Sequence, residues 1–465
     1  MRINTSTAFD ANGKWWLPEL DSEKKQGKLF YNPIGPSKLH LQDSFYSSMD
    51  SPQALIIHGQ LNDGQFCTLI ETYSTNITSY FGSGETSSQI IFNKAYIGSD
   101  LLSSPDPMCE SLTVGYSYLD SWLNKSPIEE TRISMSEGSI KYKKLNDIVI
   151  KLTNLKTKLT IFTNPISHTD GNSVSLTIDS KIFIRPRKKQ KLSWFLDISY
   201  KLRIMLTLLV GRPVSISNLY LTLGKKRYVE NGKIRFIGFP GSFIFSQSGQ
   251  INSKDETIYP WDMAFPFTEI EDSIDKIFNN WFNKSESIQS VYDLFFIISI
   301  GSKLPIDFKF ITLLQSIEAY SRYRGQNEYL SRDEYAPFFD TMCSSIPDEI
   351  LNDHREALKA RLRYGNQFSL RKRLNILLGG LDLRILNQLE ISKSEFIGKV
   401  VDTRNYLTHR DDINRNNILT IGERHDYTKV LHLILNYFLF IELGISERKI
   451  IGKITHPNFL RNSRY

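Results

Sequence analysis

The sequence predicts an α+β protein, with a β-rich N-terminal domain followed by an all-α helical bundle. Two observations predict this architecture. From residue 27 to about residue 184, short apolar runs alternate with polar residues and are separated by Gly, Pro, Asn and Ser, which is the pattern of antiparallel strands. Beyond residue 267, prolines become scarce and apolar residues recur at i, i+3 and i+4, which is the pattern of amphipathic helices.

Strand patterns dominate the first domain and are interrupted by one helix. The strands include LIIHGQLNDGQFCTLIETY, SIKYKKLNDIVIKL and SVSLTIDSKIFI. A helix is expected from Leu192 to Val210, because apolar residues recur there at helical spacing until Gly211 and Pro213 stop it. Strand character returns in VSISNLYLTL and KIRFIGF, and the prolines of YPWDMAFPF then disfavour regular structure. We therefore place the boundary near Phe267, giving domains 1–267 and 268–465.

The second domain is expected to consist of helices joined by brief polar links. They are predicted at Glu269–Asn283, Ser287–Ser299, Asp307–Arg324, Arg332–Ser344, Pro347–Arg361, Leu370–Leu378, Lys393–Thr408 and Gly422–Glu442. The apolar stretch Leu431–Leu443 is interrupted by His432, Asn436 and Glu442, so it does not have the character of a membrane span. It is expected to be a buried helix.

Charge and cysteine usage indicate the environment of the protein. A formal charge of +7 favours a polyanionic partner such as nucleic acid. The three cysteines, Cys67, Cys109 and Cys343, lie far apart and fit neither a disulfide framework nor a zinc site. The opening MRINTSTAFD lacks the apolar stretch of a secretory leader. We expect a cytoplasmic protein.

Several common classes of catalytic site are missing from the sequence. It contains no HExxH, CxxC, GxxxxGK[ST] or GxSxG motif, so metalloprotease, zinc, nucleotide-loop and α/β-hydrolase chemistry lack their signatures. His425 and His432 recur seven positions apart, but no Cys or acid follows at a matching spacing. A core or surface role is favoured for both histidines, and neither a metal nor a cofactor is expected.

The segment VVDTRNYLTHRDD carries the residue types that phosphodiester cleavage requires. Arg404 precedes His409 by five positions near the end of a predicted helix. An imidazole, which changes charge near neutral pH, can take the proton of an RNA 2′-hydroxyl or protonate the departing 5′-oxygen. A guanidinium can bind the phosphate oxygens as negative charge develops on them. These two steps need no metal.

Helix geometry separates these two side chains. Five residues at about 100° each place Arg404 and His409 roughly 140° apart, whereas Asn405 and His409 share a face. Asn405 is therefore predicted to orient the imidazole, and a two-fold dimer would bring Arg and His from both chains to one cleft. An alternative is that Arg404 pairs with Asp402 or Asp411 at the surface while His409 caps the helix end.

Several segments of the sequence resemble a known protein family. TRNYLTHRDD resembles the R-N-x-x-x-H signature of HEPN domains, and ITLLQSIEAYSRYR and FSLRKRLNILLGG resemble preceding helices of the ApeA-type HEPN branch. NGKWWLPELDSEKKQGKLFYNP is similar to the opening of the ApeA N-terminal domain, and KLRIMLTLLVGRPV is similar to a later part of that domain. The resemblance covers most of the chain in the same order, although Arg410 stands where the family often has an aromatic residue.

The resemblance implies a dimeric, metal-independent HEPN endoribonuclease behind a sensing or regulatory β domain. In that family such proteins act in abortive infection against phage by cutting host RNA, often tRNA or other single-stranded loops. Arg404 and His409 become the catalytic pair, and Asn405 becomes the polar residue after the arginine. Cleavage would leave 2′,3′-cyclic phosphate and 5′-hydroxyl ends. A phage-derived trigger and assembly beyond a dimer are part of the same expectation.

Other residues of the helical domain are candidates to contact RNA or to support the catalytic pair. The cationic residues expected to contact RNA are Arg363, Arg371, Lys372, Arg373 and Arg410. For any one of them alone, a place on a solvated basic face is the favoured explanation. Glu318 is a candidate to steady Arg404 across the bundle, although an i, i+4 pair with Arg322 is the ordinary alternative. Tyr406 is expected to support the site by packing into the bundle or the dimer interface.

The sequence leaves open two hypotheses from other functional classes. The helical half could serve as a non-catalytic RNA- or protein-binding dimerisation module. The β domain could bind a phage component or a carbohydrate, because Trp15, Trp16, Tyr73 and Tyr80 could stack on a ligand. Core packing explains these aromatic residues as well.

Overall fold

The computed structural model describes most of the chain. The described residues are 3–46, 55–79, 86–132, 134, 137–171, 173–230, 233–247, 258–301, 303–381, 383–386, 392–410, 415–454 and 456. They form two compact units, Met1–Asn283 with Leu443–Ile445, and Lys284–Glu442 with Ser446–Tyr465. The first is β-rich and the second is helical, so the predicted α+β class is confirmed.

The first unit contains a large antiparallel sheet. Its strands are β1 (Phe9–Trp16), β2 (Lys25–Tyr31), β3 (Ser37–Leu41), β4 (Ile56–Leu61), β5 (Phe66–Ser79), β6 (Thr86–Gly98), β8 (Ser111–Tyr116), β11 (Ile148–Leu152), β12 (Thr157–Thr169), β13 (Val174–Pro186), β15 (Ile216–Thr222) and β18 (Gly241–Phe245). Short two-stranded pairs complete the β structure: β7 (Met108–Cys109) with β14 (Gln190–Lys191), β9 (Ile128–Arg132) with β10 (Gly138–Tyr142), and β16 (Lys225–Glu230) with β17 (Lys233–Gly238).

Part of the large sheet closes into a six-stranded ring. The strand order runs β11-β12-β13-β8-β15-β18-β6-β3-β2-β1-β4-β5, and β5 also pairs with β6. Alternate residues of the ring point inward and form a core that includes Trp15, Leu29, Ile57 and Leu69, as the period of two along a strand requires. Gly59 lies opposite Trp15 in the β1–β4 register, and an added Cβ there would lie 2.3 Å from the Trp15 ring.

Of the described aromatic residues considered for ligand stacking, two are buried and one is exposed. Trp15 is 0 % exposed and Trp16 is 4 % exposed, so both are core residues and neither offers a face to a ligand. Trp15 points into the core of the ring, whereas Trp16 lies on the opposite face of β1, where it contacts the His58 ring edge-on and lies under the Lys24 ammonium. Tyr73 is exposed, and Tyr80 lies outside the described residues.

One long helix packs within the first unit, as predicted. The helix α2 spans Leu192–Val210 and ends at Gly211, whose φ of 77° is the left-handed conformation that glycine adopts readily. The Arg203 side chain is buried, and its Nε donates a 2.6 Å hydrogen bond to the Val214 carbonyl. A short helix, α1 (Leu119–Leu123), was not predicted from the sequence.

The helices of the remaining chain follow the predicted pattern closely. They are α3 (Phe267–Ile270), α4 (Ile274–Lys284), α5 (Gln289–Ile300), α6 (Ile306–Arg324), α7 (Arg332–Ser344), α8 (Asn352–Arg363), α9 (Leu370–Leu377), α10 (Leu383–Leu386), α11 (Lys393–His409), α12 (Ile421–Leu443) and α13 (Glu447–Ile454). The predicted helix at Glu269–Asn283 is divided into α3 and α4 by a 3₁₀ turn, and the one predicted at Pro347–Arg361 begins only at Asn352. Neither α10 nor α13 was expected. None of the helices described is long and apolar enough to cross a membrane.

The compact units divide later in the chain than the boundary inferred from the sequence. The first unit continues to Asn283, so it includes α3 and almost all of α4. Within this unit, the Trp281 indole donates a 3.0 Å hydrogen bond to the Lys201 carbonyl, and the Asn279 amide donates a 2.9 Å bond to the Lys151 carbonyl. The composition changes near residue 267, but these long-range contacts keep the first helices with the sheet.

Candidate active site

The helix α11 carries the predicted catalytic residues and is fixed at its start and along its buried face. At its start, the Ser392 hydroxyl accepts a 3.2 Å hydrogen bond from the Glu395 backbone N–H, which is an N-cap. On its buried face, the Phe396 ring stacks on Tyr427 of α12 with centroids 5.4 Å apart. Seven residues later, the Thr403 hydroxyl accepts a 2.9 Å bond from the Leu419 N–H. These contacts place α11 antiparallel to α12.

The C-terminal end of α11 is exposed and terminates abruptly. Arg410 has a left-handed φ of 56°, and its N–H donates a 2.8 Å bond to the Tyr406 carbonyl. Its guanidinium lies over the Tyr406 ring at 5.5 Å, so Tyr406 supports the helix end. His409 is the last helical residue and is exposed. Among the described residues, no hydrogen bond or ion pair to its ring is found.

Arg404 is half-buried one and a half turns before this end. Its Nη1 donates a 3.2 Å hydrogen bond to the Asn405 side-chain oxygen. The neighbouring acid, Asp402, instead accepts a 2.9 Å bond from the Asn417 amide and forms a 3.5 Å ion pair with Arg371. The alternative pair between Arg404 and Asp402 is therefore not found, and Asp411 lies outside the described residues.

Asn405 does not take the role that helix spacing suggested. Its side-chain oxygen accepts from Arg404 rather than from His409. The physical reason is that an adjacent guanidinium is a charged donor within easy reach, and charge-assisted hydrogen bonds are the stronger ones. Asn405 thus orients the guanidinium, and the imidazole is left facing solvent.

Glu318 does not steady Arg404. Its carboxylate forms a 2.9 Å hydrogen-bonded ion pair with Arg322 one turn later in α6. This is the ordinary i, i+4 pair within one helix, which needs no tertiary contact.

The five predicted RNA-contacting cations separate into two groups. Arg363, Lys372 and Arg410 are exposed, and the Arg371 side chain is half-exposed despite its ion pair with Asp402. Arg373 is 1 % exposed, because its guanidinium bonds to the Asn327 side chain and its Nε donates a 3.1 Å bond to the Phe368 carbonyl. Arg373 therefore holds the chain before α9 in place and is not available to RNA.

The burial of a charged residue, Glu442, at the end of α12 was not predicted from the sequence. The Glu442 side chain is 2 % exposed and accepts hydrogen bonds from Tyr320 at 2.7 Å, Lys284 at 2.7 Å and Arg324 at 3.3 Å. A signal was present in the sequence, since an acid inside the apolar stretch Leu431–Leu443 must find donors when it is buried. Which donors it finds depends on the tertiary structure.

The histidines of α12 behave as the sequence suggested. His432 is buried, its Nδ1 lies 3.0 Å from the Asn436 amide nitrogen, and desolvation lowers the pKa of its ring to about 3. His425 is exposed. Within the described ranges, no group of three or more His, Cys, Asp or Glu side chains is arranged to hold a metal ion.

Comparison with protein families agrees with this architecture. The family model of the ApeA N-terminal domain 1 matches residues 10–281, more than half of the chain. The chain belongs to the ApeA family. The Apea-like HEPN model matches residues 311–449, a range that contains Arg404, Asn405 and His409. No curated protein and no solved structure matches the chain.

The match to the Apea-like HEPN model indicates the general class of activity of the helical unit. HEPN domains are generally ribonuclease domains, and ApeA-type HEPN domains are associated with defence. The match begins inside α6 and ends inside α13, so it includes α9, α11 and all of α12. The exposed end of α11 is thus the candidate active site of a HEPN domain.

Proposed function

We propose that this protein is a metal-independent endoribonuclease that cuts host RNA, at tRNA or other single-stranded loops, in abortive-infection defence against phage. The observation that carries the proposal is the end of α11, where an exposed His409 without a described partner lies near an Arg404 that no described carboxylate neutralises. Both groups are therefore available to a phosphodiester.

The chemistry is a transesterification that these side chains can perform. A neutral His409 takes the proton of the 2′-hydroxyl, and the 2′-oxygen then attacks the phosphorus. The bond from phosphorus to the 5′-oxygen breaks, and a second, protonated imidazole gives its proton to that oxygen. Arg404 binds the non-bridging oxygens, on which negative charge increases in the transition state. The products carry a 2′,3′-cyclic phosphate and a 5′-hydroxyl.

A homodimer would supply the second imidazole and would bring together an arginine and a histidine that one helix holds apart. On the regular helix α11, Arg404 and His409 point roughly 140° apart, so one protomer does not offer both to one phosphate easily. Two α11 ends related by a two-fold axis would place an arginine and a histidine from each chain in one cleft. Ile421, which is 63 % exposed at the start of α12, offers an apolar contact for such an interface.

The exposed cations give RNA a route to this cleft. Arg363, Arg371, Lys372 and Arg410 can neutralise phosphates, and the Tyr364 ring, 63 % exposed, can stack on an unpaired base. Stacking requires a splayed base, which favours single-stranded loops over duplex. The β-rich unit, which belongs to the ApeA N-terminal type, would sense the phage-derived trigger in the cytoplasm and restrain the nuclease until then.

The test is RNA cleavage by the full chain, by His409→Ala and by His425→Ala. The second variant is a matched control, because His425 is also exposed but is not part of the Arg404-to-His409 segment that carries the proposed chemistry. We expect His409→Ala to lose at least about a hundredfold in cleavage rate and His425→Ala to lose nothing. Mass analysis of the RNA ends should show cyclic phosphates, and a chelator should leave the parent rate unchanged.

Two results would overturn the proposal. Cleavage by His409→Ala at the parent rate would show that the imidazole is not catalytic. Tight RNA or protein binding with no cleavage by any form, in cells exposed to phage or in vitro, would favour a non-catalytic dimerisation module. Sequencing of cellular RNA ends after expression of parent and variant would identify the RNA that is cut.

A further inference from the structure

A hairpin of the β-rich unit lies outside its large sheet. It consists of β16 and β17, which pair antiparallel from Lys225 opposite Gly238 to Glu230 opposite Lys233. Among the strands that the structure describes, neither of the two pairs with a third. A two-stranded pair is marginally stable by itself in water, so contacts at its base or a surface that covers it must stabilise the hairpin.

Large apolar side chains of the hairpin are exposed to solvent. Three lie on one face, because Val229 stands opposite Ile234, and Phe236 lies two residues further along β17. All three are more than half exposed. Ile237, on the opposite face, and Phe239, just after β17, are exposed as well. Apolar side chains grouped in this way on a surface mark an interaction site.

Two ion pairs attach the base of the hairpin to the rest of the unit. Lys226 lies 2.5 Å from an Asp100 carboxylate oxygen, and Lys225 lies 3.6 Å from Glu110. The carbonyl of Thr222, which precedes the hairpin, accepts a 2.8 Å hydrogen bond from the Glu110 N–H. The base is therefore held in place by polar contacts, which leave the apolar side chains exposed.

Further cations lie beside this base. The Lys189 ammonium donates a 3.0 Å hydrogen bond to the carbonyl of Leu223, two residues before β16. Lys188 and Arg227 are exposed, and within the described part of the chain neither forms an ion pair with an acid. Their charges therefore remain available to an anionic partner.

The sequence around these residues carries a large excess of positive charge. Residues 225–239 contain five cations and one acid, and residues 185–191 contain five cations and no acid. Like charges at this density repel one another and attract an anionic surface. The hairpin and its base thus combine exposed apolar side chains with positive charge.

Apolar residues on both faces of the hairpin distinguish between the partners that fit it. A protein that packs against one face leaves the other face in water. The boundary between lipid headgroups and acyl chains surrounds an inserted element, so it receives apolar side chains from both faces. Phosphates of anionic lipids lie just above that boundary, where the cations at the base meet them.

We propose that this hairpin binds the β-rich unit to an anionic phospholipid membrane, with its exposed apolar side chains among the upper acyl chains and the cations of its base at the lipid phosphates. Insertion is shallow, because the outer edges of a two-stranded pair carry backbone N–H and C=O groups that find no hydrogen-bond partner in hydrocarbon. The protein is then attached to the membrane surface and does not span it. This binding does not require the helical unit to cut RNA.

Co-sedimentation of the full chain with lipid vesicles, in the absence of RNA, tests the proposal. One kind of vesicle is phosphatidylcholine alone, and in the other about a third of the lipid is phosphatidylglycerol, so that the two differ in charge. We expect binding to the anionic vesicles to be at least about tenfold tighter than to the neutral ones and to weaken as salt is added. No binding to the anionic vesicles, or equal binding to both kinds, would overturn the proposal and favour a protein partner for the hairpin.

Paired variants separate insertion from attraction by charge. Phe236→Ser should weaken binding to the anionic vesicles about tenfold, because the ring no longer leaves water on binding. Ile140→Ser makes a similar change at an exposed residue of β10, in another two-stranded pair, and should not alter binding. Arg227→Ala should weaken binding about fivefold, whereas Arg132→Ala, at an exposed arginine of β9, should not.

The variants also exclude a simple loss of folding. All four altered side chains are exposed, so each variant should melt at the same temperature as the parent. Unchanged vesicle binding by Phe236→Ser would show that no apolar side chain inserts, and would overturn the proposal even if salt still weakens the binding. An equal loss in Phe236→Ser and Ile140→Ser would place the binding surface outside the hairpin and overturn it as well.

Discussion

The Tyr320 hydroxyl donates a 2.7 Å hydrogen bond to Oε1 of Glu442, a carboxylate whose side chain is 2 % exposed. This bond joins α6 to the end of α12 within the helical unit. Burial, and then the bond to Glu442, raises the pKa of Tyr320 well above its usual range. The hydroxyl therefore stays protonated and serves as a permanent donor to a buried charge.

Loss of this donor should destabilise the helical unit. Tyr320→Phe leaves the buried Glu442 carboxylate with one donor fewer, and a hydrogen bond to a charged group contributes about 1.5–3 kcal/mol. We expect a loss of that size in the free energy of unfolding, measured by denaturant titration. The control is Tyr323→Phe, whose ring is half-exposed on the same helix. Equal stability of the two variants would show that the bond contributes little.

The buried His432 should make the helical unit less stable in mild acid. Burial, with a contribution from the charge of Lys309, lowers the pKa of His432 to about 3, against about 6.5 in an unfolded chain. Between these values the unfolded chain binds a proton that the folded chain does not, so stability falls as the pH falls through this range. From pH 7 to pH 5 the loss attributable to His432 is about 2 kcal/mol.

Amide hydrogen exchange of α12 measures this effect. After correction for intrinsic exchange rates, the parent should lose more protection between pH 7 and pH 5 than His432→Gln does. His425→Gln should behave as the parent, because His425 is exposed on the same helix. The same loss in the parent and in His432→Gln would contradict the assignment.

Two nearby arginines should respond to mutation in opposite ways. Arg373→Ala removes a buried guanidinium that bonds to Asn327 and Phe368, so we expect a loss of about 2–3 kcal/mol of stability. Arg363→Ala removes an exposed cation, so the stability should stay within about 0.5 kcal/mol while RNA binding weakens and its salt dependence decreases. Melting curves and RNA titrations at two salt concentrations test both. A stable Arg373→Ala with weakened RNA binding would contradict the division.

The ring of strands should not tolerate a methyl group at Gly59. An alanine Cβ would lie 2.3 Å from the Trp15 ring, which is fully buried, so Gly59→Ala should cost about 1–3 kcal/mol. Replacing the indole by a smaller ring in Gly59→Ala with Trp15→Phe should recover part of that loss. Additive effects of the two substitutions would show that the close contact is not the cause.

Sequence periodicity located most of the helices and the segment that carries the candidate site. The bounds of α2, Leu192–Val210, and of α7, Arg332–Ser344, agree with those predicted, because apolar spacing and local stop or capping residues act within a few positions along the chain. For the same local reason, the sequence placed Arg404, Asn405 and His409 at the end of one helix. The family models extend this to an ApeA-type chain with a HEPN domain.

Tertiary structure alone decided which charged side chains are buried and which partners they have. Arg371 and Arg373 look alike in the sequence, yet one is half-exposed and the other is buried. Glu318 and Glu442 are both acids on helices, yet the first pairs within its own helix and the second binds donors from distant parts of the chain. Desolvation and long-range hydrogen bonds depend on which helix faces meet, and no local pattern of residues specifies that.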